Sequence, residues 1–180
     1  MTTSDEELAF AAAGGDGRAF SVLLERHYDR LFTLCYRLTG ARDVAEDLTQ
    51  EICTALPRKL GGFQGTAKFT TWLYRVAVNA SHDWRRRETT RVRAADGWGA
   101  WEIARRAEIA ETQAAQRWLR EAMAALPQDL IDTLALLLDE GMTQAEAARV
   151  LDISEGTVAW RMSEAKKRLK TMGQEALEDE

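Results

Sequence analysis

The sequence predicts an all-α protein of two small helical domains joined by a linker, the C-terminal one a helix-turn-helix domain. Three observations predict it. Apolar residues recur at three- and four-residue spacing through most of the 180 residues, the mark of helices that bury one stripe. The period-two alternation of half-buried strands is absent. Between Glu88 and about Thr112 the stripe is lost among charges and glycines, which separates two patterned blocks. The boundaries expected are therefore residues 1–88, a linker at 89–112, and residues 113–180.

The first block starts with Phe20, Leu23, Leu24, His27, Leu31, Leu34, Cys35 and Leu38, a single buried stripe closed by Gly40. Asp43-x-x-Glu46 has the spacing of a capped helix start, and the helix it opens buries Val44, Leu48, Ile52 and Ala55, with Pro57 near its end. Gly61, Gly62 and Gly65 mark a loop around Phe63. Phe69, Trp72, Leu73, Val76 and Ala80 then line a helix that ends in Arg85, Arg86 and Arg87. In the second block, Trp118 to Leu126 forms one helix stopped by Pro127, and Leu130 to Leu138 forms the next, stopped by Gly141.

Composition excludes whole classes. At 46% hydrophobic and 29% charged, the chain has too much apolar material to be disordered. No run approaches ~18 apolar residues, and the acidic start, Met1 to Leu8, has no apolar core, so neither a membrane span nor a secretory signal is expected. Cys35 and Cys53 form neither a metal-ligand spacing nor a disulfide framework, which points to a reduced, cytoplasmic setting with no cofactor. Net charge is −5, yet residues 1–95 carry +2 and residues 96–180 carry −7. A basic surface must be local.

Three local patterns carry function. Thr143-x-x-Glu146 is a capping box opening a short helix, Gln144 to Leu151. Asp152-Ile153 makes a tight break, and Ser154 caps a longer helix through about Lys170. Ala147, Ala148, Val150, Ile153 and Val158 are the small and branched residues of a close helix crossing. This pattern either places a second helix in a DNA major groove or packs as a plain helical hairpin with a solvated charged face, and Asp152 stands where glycine often serves. On the helix after Asp43, a face of Glu46, Asp47, Gln50, Glu51 and Thr54 is either simply solvated or a dock for a basic partner. On the helix after Phe69, Arg75, Asn79, His82, Arg85 and Arg86 point outward near Phe63, Tyr74 and Trp84. Phosphate-tracking cations, an amide and stacking rings suit an opened strand; the plain alternative is that the arginines complement the helix dipole. Trp72 is expected in the core and Phe63 at the functional surface.

These blocks resemble a bacterial RNA polymerase sigma factor of the sigma-70 family, extracytoplasmic-function (ECF) group. The likeness lies in Asp43 to Glu51, Phe63 to Asn79, and Leu126-Pro127 through Arg161, in that order. It implies that Asp47, Gln50 and Glu51 contact the clamp coiled coil of the polymerase core's largest subunit. It implies that Phe63 to Thr71, Lys68 included, form a loop that captures a base of the melted −10 element, with Arg75, Asn79, His82, Arg85 and Arg86 along the opened strand. The helix-turn-helix would read the −35 element through Glu155, Thr157, Ala159, Trp160, Arg161, Ser163, Glu164 and Lys167. The linker would thread through the polymerase, and an anti-sigma factor is expected to cover both DNA-binding blocks, with six tryptophans offering apolar surface.

Departures from the family pattern concern the last helix. Ala159 stands where arginine is common, Trp160 replaces a small polar residue, and Ser163 and Glu164 replace basic or aromatic ones. Phosphate attraction then falls to Arg161, Lys166, Lys167 and Arg168. Glu164 either accepts a hydrogen bond from cytosine N4 or closes a surface pair. Two rival functions are testable: a free-standing helix-turn-helix regulator, which needs no polymerase to bind DNA, and a small hydrolase built on His27 or His82. The second is weak, because His27 lies on the apolar stripe and Asp83, adjacent to His82, faces elsewhere on the helix.

Overall fold

In the computed structural model, residues 3–94, 118, 121–138 and 141–178 are described, and among them every regular element is helical. The first helix is α1 (Asp5–Ala13), which lies ahead of the apolar stripe that begins at Phe20. Ser4 caps it and the Glu7 carboxylate returns to the Ser4 N–H at 2.8 Å, a full capping box. Helix α2 (Gly17–Thr39) is capped by Asp16 and ends on Gly40 at φ 73°, a left-handed position that favours glycine. Helix α3 (Arg42–Lys59) starts one residue before Asp43, on Ala41, with no side-chain cap. Asp43 therefore sits inside the first turn, where its charge complements the helix dipole instead of capping it.

A 3-10 turn (Leu60–Gly62) and a glycine loop lead into α4 (Phe69–Ala94). That helix passes the expected boundary at 88 by six residues, so the first residues of the anticipated linker are its last turns. The rest of the linker lies outside the described residues. Trp118 and residues 121–124 are helical. Then follow α5 (Gln128–Leu137), α6 (Gln144–Leu151) and α7 (Glu155–Glu178), the last running eight residues beyond the expected Lys170. The Thr143 capping box forms as anticipated, and Asp152 takes the left-handed C-cap at φ 57°. Ser154 Oγ accepts the Thr157 N–H at 3.1 Å, which starts α7.

The core decides how the two blocks relate. One hydrophobic cluster joins Leu23, Leu31, Leu48, Ile52, Leu73 and Ala77 of the first block to Ala135, Leu136, Ala147, Ala148, Val150 and Val158 of the second. A smaller cluster, Leu126, Leu130, Leu134 and Ala165, is internal to the second block. The helix-turn-helix thus rests on α4 and α5 rests on α2. His27 is buried between helices as its stripe position predicted. Its Nε2 lies 2.7 Å from Asp5 Oδ2, and its ring packs 5.2 Å from Phe69. Asp5 also receives Arg26 at 2.7 Å; burial works to raise its pKa, but these two partners outweigh it and hold the carboxyl below the ordinary range. Burial pushes the Cys35 thiol up to about 11 and the Cys53 thiol up as well, so both favour the inert protonated form.

Candidate polymerase and nucleic-acid interfaces

The polymerase-facing candidates sit together on the outer face of α3. Asp47, Gln50 and Glu51 are all exposed, opposite the buried Ala45, Leu48, Thr49 and Ile52. The 3.6-residue period produces this division directly. Glu51 accepts both contacts of the Arg87 guanidinium, at 3.0 and 3.1 Å, across from α4. Asp47 and Gln50 remain on the open side of that pair.

The loop before α4 differs from its sequence reading. Phe63 is buried, with its ring 5.4 Å from Phe10, 5.8 Å from Phe69 and 5.6 Å from Trp72. It is a core ring, because α1 lays Phe10 over the loop: a Cβ on Gly65, which sits at φ +67°, would meet the Phe10 ring at 2.9 Å. Thr71 and Tyr74 are buried too, since they fall on the inner face of α4. Trp72 and Trp84 are partly buried against the same core. The loop is further held by Glu6, which accepts the Phe69 N–H at 3.0 Å and so caps the start of α4.

The outer face of α4 is basic and ordered by helical period. Lys68, the residue before α4, and Arg75 and His82 on it follow at seven-residue intervals and so lie along one side of the helix. Each meets the second block. Lys68 Nζ pairs with Glu146 Oε1 at 2.7 Å. Arg75 donates to the Arg149 backbone carbonyl and lies 4.0 Å from Asp152. His82 Nε2 is 2.6 Å from Asp132 Oδ2, and Arg85 reaches the other oxygen at 3.4 Å. Arg85 also donates to the Leu38 carbonyl at 3.1 Å; burial draws its guanidinium pKa down while Asp132 opposes that. Asn79 is exposed, and Arg86 pairs with Asp83 on its own helix. Hydrogen bonding to Lys68 and to the Thr143 N–H holds the Glu146 carboxyl at about 2.

On α7 the outward residues are Glu155, Ala159, Trp160, Ser163 and Lys167. Trp160 is 61% exposed, whereas Trp72, Trp84 and Trp118 are partly covered, so the apolar surface expected from tryptophan narrows to this ring among the described residues. Thr157 is taken up in the cap, its hydroxyl 2.9 Å from Ser154 Oγ. Arg161, expected to attract phosphate, instead turns inward to Asp129 of α5 at 3.3 Å. Glu164 pairs with Arg168 one turn on, at 2.7 Å, which realises the surface-pair alternative. That Glu146, Arg149 and Asp132 meet α4 carried no sequence signal, because nothing in a local pattern marks partners 47 to 78 positions apart.

The sigma-70 region 2 family profile matches residues 23–91 and the sigma-70 region 4 profile matches residues 116–169. The ECF RNA polymerase sigma factor SigM of Mycobacterium tuberculosis is 31% identical over 166 residues, 92% of this chain and 83% of that protein. This chain belongs to the ECF sigma factor family. The ECF RNA polymerase sigma-E factor of Escherichia coli is 28% identical and matched over 92% of each chain. Among solved structures, CnrH in complex with the cytosolic domain of CnrY superposes with a TM-score of 0.70 at 26% identity, covering 96% of this chain and 98% of CnrH. The sigma factor RpoE from Bartonella quintana, solved with the anti-sigma factor NepR, shares the fold with a TM-score of 0.69 at 21% identity, covering 86% and 96%. Within the sigma factor, α2 to α4 make region 2, and region 4 holds α5, α6 and most of α7. Among the described residues no helix is long and apolar enough to cross a membrane.

Proposed function

We propose that this sigma factor acts as the promoter-specificity subunit of bacterial RNA polymerase. It binds core enzyme, recognises promoter DNA through both regions and favours strand opening. The observation that carries this reading is the 31% identity to an ECF sigma factor over 92% of the chain. Within it, Asp47, Gln50 and Glu51 dock on the clamp coiled coil of the largest subunit, supported by their shared exposure on α3. Lys68, Arg75, Asn79, His82, Arg85 and Arg86 follow the opened −10 strand. The exposed face of α7 reads the −35 element. Residues 1–88 and 113–180 are the working halves, and the segment between them is the linker.

No bond is made or broken by the factor itself. Opening DNA costs a few kcal/mol per unstacked base, and affinity for the opened strand offsets it. Two weak sites held on one machine act together through a high effective concentration. Such a protein works in the cytoplasm, beside the chromosome. An anti-sigma factor that covers both regions completes the reading, in keeping with the likeness to CnrH, which is solved with the cytosolic domain of CnrY.

The test is transcription from a promoter library with purified core enzyme, beside Asp47→Arg. Wild type should direct defined start sites, and the variant should lose core binding while its helical circular dichroism stays unchanged. Wild-type core affinity in Asp47→Arg would remove the docking assignment. Tight duplex binding without polymerase would instead favour a free-standing regulator.

A further inference from the structure

We propose that Glu6 and Phe10 of α1 are positioning residues for promoter opening: they fix both ends of the exposed loop 64–68, so that the opened strand meets a loop already shaped. The inference rests on the reading above that this part of region 2 faces the melted −10 element. The carrying observation is that α1 holds the loop at two points, one polar and one aromatic.

The loop hangs between two buried rings. Phe63 and Phe69 lie in the core, while Gln64, Gly65, Thr66 and Lys68 between them are exposed. At its far end the loop runs into α4, whose first N–H groups have no partner within the helix. Lys68, the residue before that helix, has a side chain that can only donate, so it cannot cap. Glu6 supplies the acceptor from 63 positions away, taking the Phe69 N–H at 3.0 Å. At the near end the Phe10 ring lies 5.4 Å from the Phe63 ring and covers Gly65, where an added Cβ would stand 2.9 Å from it. Gly65 turns the chain beneath that ring at φ +67°, a conformation that favours glycine.

Helix α1 can brace the loop because it is itself held. Asp5 accepts Arg26 at 2.7 Å and lies 2.7 Å from His27 Nε2, both on α2, and Arg26 also donates to the Thr3 carbonyl at 2.9 Å. Leu8, Ala9 and Ala12 are buried. These anchors fix where Glu6 and Phe10 fall, one turn apart on the same helix. Ordering a mobile loop at the moment of binding costs conformational entropy, and a loop held beforehand avoids that cost. A direction follows that charge alone would not give. Glu6 is an anion close to a strand-binding loop, so by electrostatics its removal should tighten DNA binding. As a positioning residue, its removal weakens it.

The test uses holoenzyme assembled from core enzyme and the full-length chain, with a fluorescein-labelled single-stranded oligonucleotide carrying the non-template −10 segment of a promoter selected from the library. By anisotropy, Glu6→Ala should bind this strand about tenfold more weakly than wild type, the scale of a lost cap, with core affinity unchanged. Glu6→Gln keeps an acceptor for the Phe69 N–H without the charge, and should match wild type or exceed it. Phe10→Ala leaves the cap intact and should weaken strand binding as well. Hydrogen exchange of peptides spanning residues 64–69 should be faster in Glu6→Ala and Phe10→Ala than in wild type or Glu6→Gln. Equal or tighter strand binding by Glu6→Ala, an equal loss in Glu6→Gln, or unchanged exchange over 64–69 overturns the proposal. Failure of the sigma reading has a different signature: wild type itself binds no core enzyme and selects no promoter, while the exchange difference between Glu6→Ala and wild type remains.

Discussion

Replacing Phe63 by alanine separates two roles for the same ring. In the structure Phe63 is buried among Phe10, Phe69 and Trp72, at centroid distances of 5.4, 5.8 and 5.6 Å. Removing a fully buried phenylalanine side chain typically costs about 3–5 kcal/mol, transfer and cavity together. Here the lower end applies. Phe10 is half-exposed and Gln64, Gly65 and Thr66 lie at the surface, so the site can partly collapse and about 3 kcal/mol is expected. With an urea dependence of roughly 2 kcal/mol per molar, the midpoint should fall by about 1.5 M. Circular dichroism at 222 nm during urea titration reads this directly. Should the midpoint stay put while promoter opening is lost, the ring is a base contact and its placement in the core is not what matters.

Asp152→Gly should stabilise the protein. A left-handed residue with a side chain costs about 1 kcal/mol, of which the greater freedom of unfolded glycine leaves roughly 0.5 kcal/mol as gain; a Tm rise of about 1–2 °C by calorimetry is expected, and a fall would show that the 4.0 Å approach of Arg75 to Asp152 outweighs backbone strain. Glu146 predicts an acid limb. Its carboxyl is held at about 2 against an ordinary 4.5, so its contribution is complete above about pH 5 and fades as pH falls toward 2. Urea midpoints at pH 6 and pH 3 should therefore differ less in Glu146→Gln than in wild type, and an equal difference would remove the link between this carboxylate and Lys68.

Much of the fold was legible because it is local. The stripe from Phe20 to Leu38, the Thr143 capping box, and the left-handed turn at Asp152 depend on residues within a few positions of each other. The α1 capping box, Ser4 to Glu7, is equally local, but the helix it opens is short and begins on three acidic residues. The exposure of Asp47, Gln50 and Glu51 was legible too: it follows from their opposition to Leu48 and Ile52 on one helix. Burial of Phe63, Thr71 and Tyr74 was harder. A ring in a glycine loop reads as exposed until a distant helix, α1, is known to lie across it.

Helical period, caps and turns are properties of short stretches, so the chain alone specified two all-helical blocks, a helix-turn-helix and the outward face of α3. The meeting of Lys68 with Glu146, of Arg75 with Arg149 and of His82 with Asp132 was decided only in three dimensions. Those pairs join residues 50 to 78 positions apart, and their register depends on how α6 settles against α4. Side-chain chemistry lets Lys68, Arg75 and His82 donate to a carboxylate or to a carbonyl oxygen alike. Packing of the shared apolar core determines which oxygen each one meets.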